Sequence, residues 1–221
     1  MKTLGTTLQG DKIHIDGYPD CVAFKLIDSN DTRQLRDMTL HQVDLRFCLS
    51  VLNELVQINL RHESIVASGL WMAAIASFYK CFGSSKARAR LFAEDILSGQ
   101  TYHLSVYEYF KKLRDKHFVH DENAYTQVVA GVAINDEHCA NKIGDVITSV
   151  VVKSTVDDGH VIPFADMVRF VLESVDMVVD GLHHKIAADC ERMSRVELLA
   201  LPDAAFVAAG GADVGTNRTR G

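Results

Sequence analysis

Apolar residues recur at spacings of three and four through most of this chain. Leu40, Val43, Phe47, Val51, Leu55 and Ile58 share one face of a helix predicted over 31–60. A second helix is predicted from about 63 to 82, closed by Gly83, and a shorter one over 84–97. Residues 101–120 predict a further helix. The texture then changes. Segments 126–134 and 146–156 are rich in Val and other β-branched residues, Asp157-Asp158-Gly159 supplies a turn, and His160-Val161-Ile162 follows, which predicts a small β-hairpin or three-stranded insert. Pro163 is placed in the first turn of a last long helix reaching about Met193, with Phe164, Met167, Val171, Val175, Val178, Leu182 and Ile186 as its apolar stripe. The expected fold is mainly α: an antiparallel helical bundle with a small β-hairpin insertion before the last long helix. The expected organisation has three parts. Residues 1–30 form an N-terminal arm, loose over the first dozen residues, with 21–27 as a short strand. Residues 31–197 form the helical domain, with its β insertion at about 126–162. Residues 198–221, rich in Ala and Gly, form a disordered tail.

Composition narrows the function classes. The 221 residues suit one domain or two small ones. A net charge of −6 argues against a strongly basic, non-specific nucleic-acid binder, although a local basic patch acts where it clusters and not as a sum. The five cysteines are odd in number and lie far apart, without a C-x-x-C pair. That disfavours a disulfide scaffold or zinc ribbon and points to a reducing, cytoplasmic setting. The most apolar window, 65–79, is too short to span a bilayer comfortably, and the first ten residues lack a signal-peptide core, so no membrane association is expected.

The stretch KKLRDKHFVHDEN, residues 111–123, concentrates the chemistry. On an ideal helix at about 100° per residue, Arg114 and His120 lie roughly 60° to either side of His117, in the sector that also holds Val106, Phe110 and Leu113. Arg is a permanent cation whose planar fork fits phosphate. His titrates near neutral pH and can move a proton. Together they form a minimal set for cutting RNA: His acts on the ribose 2′-OH or the leaving 5′ oxygen, and Arg stabilises charge building on phosphorus. No metal or cofactor is required for this chemistry.

Arg114-Asp115-Lys116-His117-Phe118-Val119-His120 resembles the signature of HEPN domains, in which an Arg, usually followed by a polar residue, precedes a His by four to six intervening positions late in a helix of an all-α bundle. The wording LRDKHFVHDEN is most similar to HEPN proteins of abortive-infection and toxin–antitoxin type. The resemblance covers the motif helix closely and the long-helix architecture loosely. The β insert and tail find no counterpart. It implies a metal-independent endoribonuclease whose composite site faces the Arg and His of two protomers across a homodimer interface. Arg114 and His120 would be the catalytic pair and Asp115 the supporting polar residue. Lys111, Lys116 and His117 are the candidate substrate-binding residues. RNA is the implied substrate, and an antitoxin or regulatory protein an implied partner. Two features depart from the pattern: Asp115 stands where Asn is commoner, and His117 lies between the pair.

Alternatives stand beside this reading. Arg114 can be a structural ion-pair residue and His120 a helix-end histidine on the helix dipole. His117 suits a packed core or interface histidine. His117, His120, Asp121 and Glu122 have only unspecific metal-ligand spacing. Lys86, Arg88 and Arg90 form a solvated basic edge unless the fold brings them near Arg114, in which case they contact backbone phosphates. The competing function is a catalytically silent helical module that binds a protein or a nucleotide.

Overall fold

A computed structural model describes residues 6–9, 12–15, 17–18, 20–57, 64–120, 122–204 and 211–216. Its elements in chain order are β1 (Thr6–Gln9), β2 (Lys12–Ile15), α1 (Asn30–Gln57), α2 (Ile65–Lys80), α3 (Ala93–Ile96), α4 (Thr101–Leu113), a π-helical segment (Arg114–Val119), β3 (Thr126–Ile134), β4 (Ile143–Val152), α5 (Asp158–Glu191), α6 (Arg195–Ala200) and a 3₁₀ turn (Gly211–Gly215). The protein is mainly helical, with a small antiparallel hairpin ahead of its last long helix. No helix among the described residues is long and apolar enough to cross a membrane. The chain divides into two compact units. One comprises Met1–Leu40, Ser85–Ala89 and Asp176–Gly221; the other comprises His41–Ser84 and Arg90–Val175.

In the first unit, β1 pairs antiparallel with β2, so part of the segment expected to be loose is a hairpin. The start of α1 is capped reciprocally: the Ser29 N–H donates to Thr32 Oγ1 (3.0 Å) and the Thr32 N–H to Ser29 Oγ (3.1 Å). The expected short strand at 21–27 is reduced to a single bridge, Lys25 to Asp203, so the segment is an arm pinned at that point. The Leu26 N–H donates to the Pro202 carbonyl (2.7 Å), the Ala204 N–H donates to the Phe24 carbonyl (2.9 Å), and Lys25 pairs with Asp203 (2.8 Å). The expected disordered tail is therefore ordered over its first residues. α6 reaches Ala200 and carries a capping box in which Ser194 and Glu197 satisfy each other's backbone N–H. Residues 205–210 and 217–221 lie outside the described residues.

The second unit holds the aromatic core. Cys48 Sγ meets the Ala74 carbonyl (3.2 Å) and Asp44 pairs with Lys80 (3.0 Å), so α1 and α2 run antiparallel. α4 and α5 also run antiparallel, because Phe110 packs on Phe164 while His103, about two turns earlier, stacks on Phe170. Trp71 of α2 meets Phe110 and Phe164 edge-on, at 5.6 and 5.4 Å between centroids, and its Nε1–H donates to Thr155 Oγ1 at 3.0 Å.

Four expectations need correction here. The buried stripe of α1 runs through His41, Leu45, Cys48, Leu52 and Leu55, with Val51 beside it; Val43 and Phe47 are about half exposed (49% and 52%). The inward face carries polar His41 and Gln42, which an apolar count passes over. Residues 84–97 form helix only at α3; before it the chain loops, with the Leu91 N–H donating to the Cys81 carbonyl at 2.8 Å. The β insertion ends at Val152, and its turn lies between Ile134 and Ile143. Asp157 does not turn a hairpin. It caps α5, accepting from the His160 N–H on Oδ1 (3.0 Å), and 158–162 are helical. Pro163 consequently lies inside α5 and not in its first turn.

Candidate functional site

The site is built around the end of α4. Val106, Tyr107, Phe110 and Leu113 face inward, which fixes the helix against the core. At Arg114 the winding changes to π-helical and continues so through Val119. Short π segments inside helices occur frequently at functional sites. The predicted wheel for 101–120 therefore holds only to Leu113, since the wider π winding re-aims every later side chain.

Arg114 is held from two sides. Its Nε and Nη2 both donate to Asp115 Oδ1, at 2.7 and 2.5 Å. Its guanidinium carbon lies 4.8 Å from the centre of the Tyr79 ring. Tyr79 is itself locked: buried at the end of α2, it donates its hydroxyl to the Tyr107 carbonyl at 2.6 Å. Two further cations lie over rings nearby. Lys111 Nζ is 5.9 Å from the Tyr107 ring and the Arg90 guanidinium is 4.6 Å from the Phe92 ring. All six of these residues line one pocket of about 400 Å³, with Glu94 as an acidic member of the lining. The pocket thus presents three cations with carbon faces beneath them. This is a combination suited to a ligand that is both anionic and aromatic.

Of the predicted residues, the structure brings Arg114, Asp115 and Lys111 together. Arg90 joins them from the basic run at 86–90, whereas Arg88 of that run is buried. His120 is exposed at the end of the π segment, does not line the pocket, and has no hydrogen bond or ion pair to Arg114 or Asp115 among the described residues. Lys116 pairs with Glu122, whose carboxyl is held below the usual range chiefly by the Lys116 hydrogen bond and charge, with a smaller contribution from His120. His117 is half-buried against Phe118 and Tyr125, with ring centroids 4.9 and 5.4 Å away, and its Nδ1 is buried without a partner among the described residues. Asp121 lies outside the described residues.

Comparison with family models, curated proteins and solved structures finds no match to this chain.

Sequence reasoning passed over the ring platforms Tyr79, Tyr107 and Phe92. It also passed over a hydrogen-bonded chain at the root of the hairpin. There Asp157 Oδ1 meets His160 Nδ1 (2.5 Å), His160 Nε2 meets the Tyr109 hydroxyl (2.8 Å), and that hydroxyl lies 3.4 Å from the Tyr125 hydroxyl. Burial, followed by the Tyr125 hydrogen bond, pushes the Tyr109 phenol up. The only signal for this chain was the Asp157/His160 spacing of an N-cap and its third helical residue.

Burial also pushes the Tyr79 phenol well above its ordinary value; Tyr107 adds to the shift and Arg114 opposes it. The folded state therefore binds the phenolic proton more tightly than the unfolded chain. This stabilisation is complete below the ordinary phenol pKa of about 10 and is lost as pH rises beyond it. Denaturant melts of the wild type are expected to weaken above about pH 10, and Tyr79→Phe to flatten that alkaline fall. An unchanged alkaline slope in Tyr79→Phe would contradict the assignment.

Proposed function

We propose that this protein is a metal-independent endoribonuclease of HEPN toxin or defence type, acting as a homodimer. The observation that carries this reading is Arg114, ordered by Asp115 and by the Tyr79 ring and lining a pocket with two further cations. In the proposed reaction an RNA phosphodiester meets Arg114, with Lys111 and Arg90 on neighbouring phosphates and a base against the partly exposed Phe92 ring. One His120 removes the 2′-OH proton as that oxygen attacks phosphorus. The P–O5′ bond breaks, and a protonated His120 delivers a proton to the leaving oxygen. The products are a 2′,3′-cyclic phosphate and a 5′-hydroxyl. Arg114 stabilises the charge that builds on the phosphorane oxygens. Since His120 stands outside the pocket of its own chain, this reading takes the histidines across the dimer, where an antitoxin or other regulatory protein would also act.

Cleavage in EDTA is expected for RNA and not for an oligomer with 2′-deoxyribose at the scissile position, with cyclic phosphate on the 5′ fragment. Cleavage of the deoxy oligomer would contradict the 2′-OH mechanism. Binding through three phosphates is expected to weaken with salt, with a log–log slope of about −2 for single-stranded RNA. A slope near zero would remove the phosphate role of the pocket. The position of His120 also favours a second reading, a catalytically silent module that binds a nucleotide in the same pocket. Its signature is saturable nucleotide binding, abolished by Arg114→Ala, with no RNA cleavage.

A further inference from the structure

Among the described residues, Glu94 is the one acid lining the pocket to which Arg90, Lys111 and Arg114 bring positive charge. It makes no hydrogen bond or ion pair with these cations or with any other described residue. A pocket for phosphate alone gains nothing from a carboxylate, which repels the anion that the cations attract. Tyr107 lines the same pocket. It is only 6% exposed, yet its hydroxyl has no hydrogen-bond partner among the described residues. Burial and then Glu108 push its phenol up; Arg114 opposes the rise and Glu94 adds to it, so the Glu94 carboxylate lies within electrostatic reach of the Tyr107 phenol. Phe92, two residues before Glu94, remains 42% exposed although the Arg90 guanidinium lies over its ring. The lining therefore joins an unpaired acceptor, an unpaired hydroxyl and an open aromatic surface to its cations.

We propose that this pocket selects a guanine base, with the Glu94 carboxylate accepting from the N1–H and the 2-amino group of the base. A carboxylate is acceptor-only and takes two donors at once. Of the four RNA bases, only guanine sets two donors side by side on its Watson–Crick edge. Adenine and cytosine place an acceptor ring nitrogen beside the amino group, and uracil flanks its one N–H with two carbonyls. Each of these turns a lone pair on a carboxylate oxygen, so Glu94 rejects them as well as preferring guanine. The Tyr107 hydroxyl, a donor, suits guanine O6 on the same edge. The open part of the Phe92 ring suits stacking, the usual companion of edge recognition in single-stranded RNA. The cations hold the phosphate attached to the base. This inference rests on the phosphate role given to the pocket above and adds the base to it. The guanine belongs to an RNA strand or to a free nucleotide, and the same edge chemistry serves both.

The test is calorimetric titration of the full chain, in EDTA at low salt, with the 5′-monophosphates of guanosine, inosine, adenosine, cytidine and uridine. The variants are Glu94→Gln and, as a control, Asp95→Asn, an exposed neighbour that does not line the pocket. Circular dichroism verifies the fold of each. The wild type is expected to bind the guanosine nucleotide about ten- to a hundred-fold more tightly than the adenosine, cytidine and uridine nucleotides, the usual discrimination of a bidentate base contact. Inosine lacks only the 2-amino group and should lose most of that preference. Glu94→Gln should bind all of them alike and should bind inorganic phosphate more tightly than the wild type does. Asp95→Asn should match the wild type. Equal binding by the wild type, no binding of any nucleotide, or a guanine preference that survives Glu94→Gln overturns the proposal. A 2′-deoxy trinucleotide with a central guanine separates the two sources: tighter binding than the mononucleotide assigns a strand, weaker binding a free nucleotide, and guanine selectivity is required in both. Guanine-selective binding without RNA cleavage would uphold this assignment and end the nuclease reading. RNA cleavage without guanine preference would do the reverse.

Discussion

Arg114→Ala is expected to lower RNA cleavage by roughly a hundred- to a thousand-fold, the usual cost of removing one preorganised group that stabilises charge in the transition state. Stability should hardly change. The Arg114–Asp115 pair is partly exposed, with side chains 31% and 41% accessible, and pairs of this kind contribute little to folding. Arg114→Lys should recover only a small part of the activity. Lys keeps the charge but loses the fork that grips two oxygens at once and the flat face that rests on Tyr79. A Lys variant as active as the wild type would show that bulk positive charge, not bidentate geometry, is what the pocket supplies.

The second large effect is on folding. Trp71→Ala should destabilise the protein by about 3–5 kcal/mol. Trp71 is fully buried, touches Phe110 and Phe164 edge-on, and holds the buried Thr155 hydroxyl just beyond the end of β4. Its removal opens a cavity between α2, α4 and α5 and strips Thr155 of that hydrogen bond. Against a total stability of about 5–15 kcal/mol, the loss would unfold a measurable fraction of the molecules. Chemical denaturation should show a lower midpoint with an unchanged slope. A cost below about 1 kcal/mol, the scale of a surface substitution, would mean that Trp71 is not the centre of this core.

Legibility of the sequence followed the range of the forces involved. The long helices are readable because burial imposes its period on them; the predicted face of α5 holds from Phe164 to Val175 and slips at Val178, which is exposed while Val179 is buried. An apolar count misses the phase of α1 because its buried face includes His41 and Gln42, whose burial is decided by neighbours. Asp157 is ambiguous in sequence because Asp favours turns and helix N-caps alike; the side-chain bond to the His160 N–H decides for the cap. In the pocket, Lys111 over Tyr107 is an i,i+4 contact on one helix and was open to a local reading. Arg114 over Tyr79 joins residues on different elements, far apart in sequence, and no local pattern announces it. The π winding beyond Leu113 has the same character, since a wheel drawn at constant pitch carries no information on where the pitch changes.

The central claim is that Arg114 and His120 cut RNA without a metal. Its most direct measurement is incubation of the purified protein with total RNA and with tRNA in EDTA, alongside Arg114→Ala and His120→Ala. The account predicts cleavage by the wild type that is lost in both variants. Cleavage that survives both substitutions, or no cleavage by folded dimeric wild type, would contradict it.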